Sequence, residues 1–72
     1  MCKTLIILIL LFDGTLVKEP LEFEKPVTVA DCLMFADDHR EGIAIYREDG
    51  DANLSGWYLK DGRGTVQGFI CE

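Results

Sequence analysis

Three cysteines are the residues of this 72-residue chain best suited to covalent or metal chemistry: Cys2, Cys32 and Cys71. Three thiols permit one disulfide and leave one over. Cys32 falls on the apolar stripe of a predicted helix, and Cys71 lies one residue from the C-terminal end, on a strand expected beneath that helix. A Cys32–Cys71 bridge would tie the helix to the tail. It would close a loop of about 40 residues, worth roughly 3–4 kcal/mol in the chain-entropy account. The competing reading is a pair of buried free thiols in a reducing cytoplasm, where disulfides are rare. Both readings stay open at this point. A zinc site from Cys32, His39 and Cys71 lacks an obvious fourth ligand and the close C-x-x-C spacing, so no metal or cofactor is expected. Cys2 follows Met1 without an apolar stretch before it, which argues against a lipoprotein signal.

Asp49-Gly50-Asp51-Ala52-Asn53 opens like a calcium loop. The likeness ends where Leu54 occupies the position that needs Gly, and Lys60 the position that needs a bidentate Glu. An ion-free acidic loop between strands is expected there. His39 is the sole histidine and Ser55 the sole serine, so a nucleophile, base and orienting acid cannot be assembled from clustered residues. No enzyme is expected. Trp57 and Tyr58, adjacent on one strand, should point to opposite faces, one into the core and one available as an interface anchor.

Charge narrows the partners. Thirteen Asp and Glu against seven Lys and Arg give −6, and the basic residues are scattered. That balance disfavours nucleic acid and is read as solubility.

The elements that position these residues begin with eight consecutive apolar residues, Leu5 to Phe12, stopped by Asp13-Gly14. Lys3 ahead of the run resembles a secretory signal, but no small-x-small cleavage site follows. Eight residues also fall far short of the roughly 20 of a spanning helix. A strand is the preferred reading, with no membrane association and a cytoplasmic location favoured. Asp-Gly suits a two-residue type I′ hairpin turn. That turn sets Phe12 opposite Thr15, Leu10 opposite Val17, Leu8 opposite Glu19, Ile6 opposite Leu21 and Thr4 opposite Phe23. The second arm, Thr15 to Phe23, carries Lys18 and Pro20, both marks of a sheet edge. The first arm is then central and apolar on both faces, as in strands buried on two sides. One helix covers one face. The other, with Leu5, Ile7, Ile9, Leu11 and Leu16, is expected to meet a second copy of the chain.

Glu24-Lys25-Pro26 reads as a link. Thr28, with Asp31 three residues on, is close to a capping box and starts a helix over 29–41. Its buried stripe is expected to be Val29, Cys32, Leu33 and Ala36, and Gly42 a stop. Strands follow at Ile43–Tyr46, Trp57–Leu59 and Thr65–Cys71, with turns between. The whole is one domain over residues 1–72, α+β in class: a mostly antiparallel sheet, β-β-α-β-β-β, with one helix packed on one face.

This layout resembles a diffuse group of small uncharacterised bacterial and prophage-associated proteins. The resemblance rests on the strand Lys3-Thr4-Leu5-Ile6-Ile7-Leu8-Ile9, the Leu21-Glu22-Phe23 end of the second strand, Cys32 early in the helix and Cys71 near the terminus. Residues 43–64 lie outside it. It implies the hairpin and the cysteine pair, and no activity.

The expectation is a non-enzymatic structural or interaction domain that forms a homodimer. The alternatives are a small acidic inhibitor or adaptor for another protein, and a secreted or envelope-associated module.

Overall fold

The computed structural model describes residues 1–48 and 56–72. Five strands and one helix follow in the order β1 (Cys2–Leu11), β2 (Leu16–Val27), α1 (Val29–Ile43), β3 (Ala44–Arg47), β4 (Gly56–Leu59) and β5 (Gly64–Cys71). They form one antiparallel sheet ordered β2-β1-β5-β4-β3. The α+β expectation and the β-β-α-β-β-β order hold. β1 lies between β2 and β5, and β2 forms the edge with Lys18 and Pro20 on it.

The hairpin register differs from the expected one by a single residue. Leu10 pairs with Leu16, Ile9 with Val17, Leu8 with Lys18, Ile7 with Glu19 and Leu5 with Leu21. A type I′ turn needs positive φ at both central residues. Here Gly14 alone has it, at +93°, and no non-glycine residue does. Asp13 instead keeps an ordinary backbone and accepts a hydrogen bond from Thr15 N at 2.8 Å. The turn therefore widens to a three-residue loop, Phe12-Asp13-Gly14. Gly14 N donates to Leu11 O and Leu11 N to Thr15 O, each at 2.9 Å.

A one-residue slip exchanges the faces of one strand relative to the other. Val17 and Leu21 still face inward, but the β1 residues beside them are now Leu5, Ile7 and Ile9. These three are 0–1% exposed and form the centre of the core. The core is completed by Cys2, Cys32, Ala36, Ala44, Leu59 and Val66. The expected contact patch Leu5, Ile7, Ile9 and Leu11 is thus corrected: the first three are buried inside one chain, and Leu11 packs partly buried against them. Leu16 alone keeps its expected outer position, 54% exposed.

Helix α1 starts as its sequence dictates, with Thr28 Oγ1 accepting from Asp31 N at 3.1 Å. It does not stop at Gly42. It runs to Ile43, and Ala44 caps it in extended conformation while already entering β3. Only Cys32 and Ala36 of the expected stripe are buried, whereas Val29 and Leu33 are about half exposed. Small residues at the contact bring the helix close over β1 and β5, and its flanks stay in solvent. β2 also outruns its expected end, passing through Glu24-Lys25-Pro26 to Val27.

Candidate functional site

Two features of the fold stand apart from the rest of its packing. The first is the sheet face away from α1. Strand alternation places Ile6, Leu8 and Leu10 of β1 there, beside Ile70 and Thr65 of β5, Leu16 of β2 and Ile45 of β3. Leu10 and Ile70 are each 38% exposed and Ile45 53%. No helix covers them, because α1 is the sole helix among the described residues and packs on the other face. Phe12 extends the surface toward Tyr58, ring centroids 6.2 Å apart, and the Arg47 guanidinium lies 5.3 Å from the Tyr58 ring. At that end Leu10, Phe12, Tyr58 and Thr65 border an open groove of about 470 Å³. The regular strand positions of this face carry Lys18 and Arg47 against Glu22, while Asp31, Asp37, Asp38 and Glu41 are exposed on the helix. The net −6 of the chain therefore does not reside here.

The second feature is a group of three sulfurs beneath α1. Cys32 and Cys71 form the disulfide, joining the helix to the last strand across 39 residues of sequence. Cys2 is a free thiol, 4% exposed, and the three Sγ atoms lie within 4.8 Å of one another. Simple alternation from Leu5, Ile7 and Ile9 would point Cys2 out through the open face. A bulge prevents this. Lys3 N and Thr4 N both donate to Glu72 O, at 2.6 and 3.0 Å, so two residues of β1 oppose one of the C-terminal segment. A bulge re-aims the side chains beyond it. Cys2 is turned inward onto the bridge. A second bulge, between Leu8 and Ile9 against β5, passes over Gln67 and brings Val66 to the core side with Phe69 and Cys71. The regular side-chain alternation of β5 is broken at that point.

Other sequence candidates are placed as follows. Trp57 and Tyr58 do point to opposite faces. Trp57 lies on the helix side, with the Arg40 guanidinium 4.3 Å from its ring centre and the Phe69 ring 5.6 Å from the same group. Arg40 Nε is the one buried side-chain polar atom among the described residues without a hydrogen-bond partner, and the π faces stand in for one. The spacing of Arg40 to Trp57 and Phe69 carries no local signal in the sequence. His39 is half-buried and stacks on Phe35, centroids 6.0 Å apart, and it is not part of the sulfur cluster. The calcium-like segment 49–55, with Ser55, lies outside the described residues. Among the described residues no helix is long and apolar enough to cross a membrane.

The turns are held by exposed carboxylates. Asp13 is below its ordinary pKa because Thr15 N–H donates to it, and Asp61 likewise because Arg63 N–H does. Arg63 Nε also donates to Asp61 at 2.6 Å and its Nη1 approaches Glu19 at 3.4 Å.

Comparison with protein-family models, with curated proteins and with solved structures gave no match.

Proposed function

We propose that this chain is a non-enzymatic structural domain that pairs with a second copy of itself through the open sheet face. The observation that carries the reading is the row Ile6, Leu8, Leu10 and Ile70 on the side that α1 does not cover. The patch differs from the sequence-based one in face, and retains only Leu16.

Two arguments favour a second copy over an unrelated partner. Three long strands and two short ones, about 4.8 Å apart with about 3.3 Å per residue, give a flat footprint of roughly 600 Å². Side-chain relief raises the accessible area above that, close to the roughly 800 Å² per partner of a standard interface. Two such faces pack at about 10 Å separation with their strands near −30°, giving a helix–sheet–sheet–helix arrangement. Charge points the same way: an acidic chain repels its copy through any acidic surface, and this face is the one where Lys18 and Arg47 offset Glu22.

Sedimentation equilibrium tests the reading. Wild type should be a dimer, and Leu8→Glu a folded monomer, since Leu8 faces outward in a single chain. Ile7→Glu should instead unfold the chain, because Ile7 is 1% exposed. A wild type that stays monomeric at millimolar concentration overturns the proposal, as does a Leu8→Glu dimer. A monomer that captures a basic protein stoichiometrically would support the adaptor alternative.

A further inference from the structure

The disulfide accounts for Cys32 and Cys71 and leaves Cys2 unexplained. A bulge disrupts the regular pairing of β1 at Lys3-Thr4 and aims Cys2 at the bridge, although the bridge needs only two sulfurs. Three cysteines from three separate elements, β1, α1 and β5, thereby converge in one place.

We propose that the reduced chain binds one zinc ion through Cys2, Cys32 and Cys71. The disulfide takes up two electrons from a phosphine reductant and two protons from water and becomes two thiols, the phosphine leaving as its oxide with the water oxygen. The three S–H groups then lose three protons to solvent as three S–Zn bonds form. Zn–S bonds near 2.3 Å set tetrahedral thiolates about 3.8 Å apart. The three sulfurs already lie within 4.8 Å of one another, so Cys2 needs to shift by about 1 Å or less to meet that spacing, while Cys32 and Cys71, bonded to each other here, separate to it once the bridge is reduced.

Charge selects a divalent ion. Three thiolates carry −3; a monovalent soft ion such as copper(I) leaves −2 in the core, and zinc leaves −1. Uncompensated charge in an apolar interior is costly, so the smaller residue is favoured. Cys32 lies in the first turn of α1, where Cys32 N donates to Thr28 O, and the positive end of the helix offsets part of the remaining charge. Thiolates also suit zinc by ligand softness. No fourth His, Cys, Asp or Glu joins the group among the described residues. The fourth position is left to water, and Cys71 is the one half-buried member of the three. Disulfide and zinc are then alternative clasps on the same elements, and Cys2 serves in the second.

The competing account treats Cys2 as a small apolar residue filling the core, which buried cysteines commonly do. The two accounts separate in solution. The full chain is reduced with a phosphine, titrated with zinc against a chromophoric chelator, and followed for proton release and, with cobalt(II) in place of zinc, for thiolate-to-metal charge transfer. The expected result is one zinc per chain, about three protons released per ion, and no comparable binding by the oxidised chain. Cys2→Ser and Cys2→Ala should each lower zinc affinity by more than about 100-fold, beyond what loss of a supporting outer-shell group costs. Both variants should form the Cys32–Cys71 bridge on oxidation and fold as oxidised wild type does, which shows that the chain itself is intact. Absence of zinc binding by the reduced wild type overturns the proposal. So does unchanged affinity in both variants, and so does tight copper(I) binding where zinc fails.

Discussion

Opening the Cys32–Cys71 bridge should remove a large part of the stability of this domain. The bonded residues are 39 apart in sequence. In the chain-entropy model a loop of about that length lowers the entropy of the unfolded state by roughly 13 cal/mol/K, or about 4 kcal/mol at 25 °C. A domain of this size has on the order of 4–11 kcal/mol in total. With an unfolding entropy of about 2 cal/mol/K per residue, that loss corresponds to a fall in Tm of about 25–30 °C. The assay compares urea unfolding of the oxidised chain with that of the same chain in a phosphine reductant, with a chelator present so that no metal replaces the bridge. Using one sequence in both arms avoids the cavity that a Cys→Ala change would leave beneath α1, where Cys32 is fully buried. The urea midpoint should fall and the slope should rise, since the unbridged unfolded chain is less compact and exposes more surface. Coincident curves would refute the reasoning: either the bridge does not close in solution, or the reduced unfolded chain is already as confined as the bridged one.

Two further changes probe the turns. Gly64 lies opposite Leu11 where β5 starts, and a Cβ there would run into the carbonyl oxygen of Leu10 and the Cα of Leu11; because both are backbone, Gly64→Ala should cost about 1–3 kcal/mol in thermal or urea unfolding, and an unchanged midpoint would show that the strands separate freely there. Asp13 and Asp61 both sit below the ordinary carboxylate pKa when folded, so their contribution is present above the unfolded value of about 4 and is lost as pH falls through the lowered folded values. Asp13→Asn with Asp61→Asn should flatten the acid limb of a stability-against-pH curve, and an unaltered limb would assign acid sensitivity to other groups.

The face of β2 was legible in the sequence: Val17 and Leu21 alternate with Lys18 and Pro20, and they do face the core and the solvent as the pattern requires. The central place of β1 was legible too, from an apolar run too long for one face. What the run could not show is which of its own faces meets the helix, because Leu5, Ile7 and Ile9 are as apolar as Ile6, Leu8 and Leu10. Only the register decides, and the register rests on one dihedral at Asp13. Its carboxylate accepts from Thr15 N, which holds the turn in a form that an Asp-Gly dipeptide does not by itself reveal. The Cys32–Cys71 pairing was readable as one of two options. The placement of Cys2 was not, since it depends on a bulge made by hydrogen bonds to Glu72, at the far end of the chain.

The two bulges lie on different strands, one in β1 and one in β5, and both bring side chains to the core face. Without the shift at Gln67, Val66 would face outward and Ile9 would lose its partner on the core side. Without the shift at Lys3-Thr4, Cys2 would lie beside Ile6 on the open face. β1 can satisfy an unbroken ladder or deliver Cys2, Leu5, Ile7 and Ile9 to one side, but not both, because the side-chain period of a strand is two. The fold takes the second course. That choice leaves the remaining β1 side chains, Ile6, Leu8 and Leu10, together on the face that one helix cannot reach, so the sulfur cluster and the apolar face arise from the same placement of β1. A variant that removes the need for the first bulge, such as Cys2→Ser, should therefore leave the open face and any pairing through it unchanged, since Ile6 to Leu10 keep their register through β2 and the turn at Gly14.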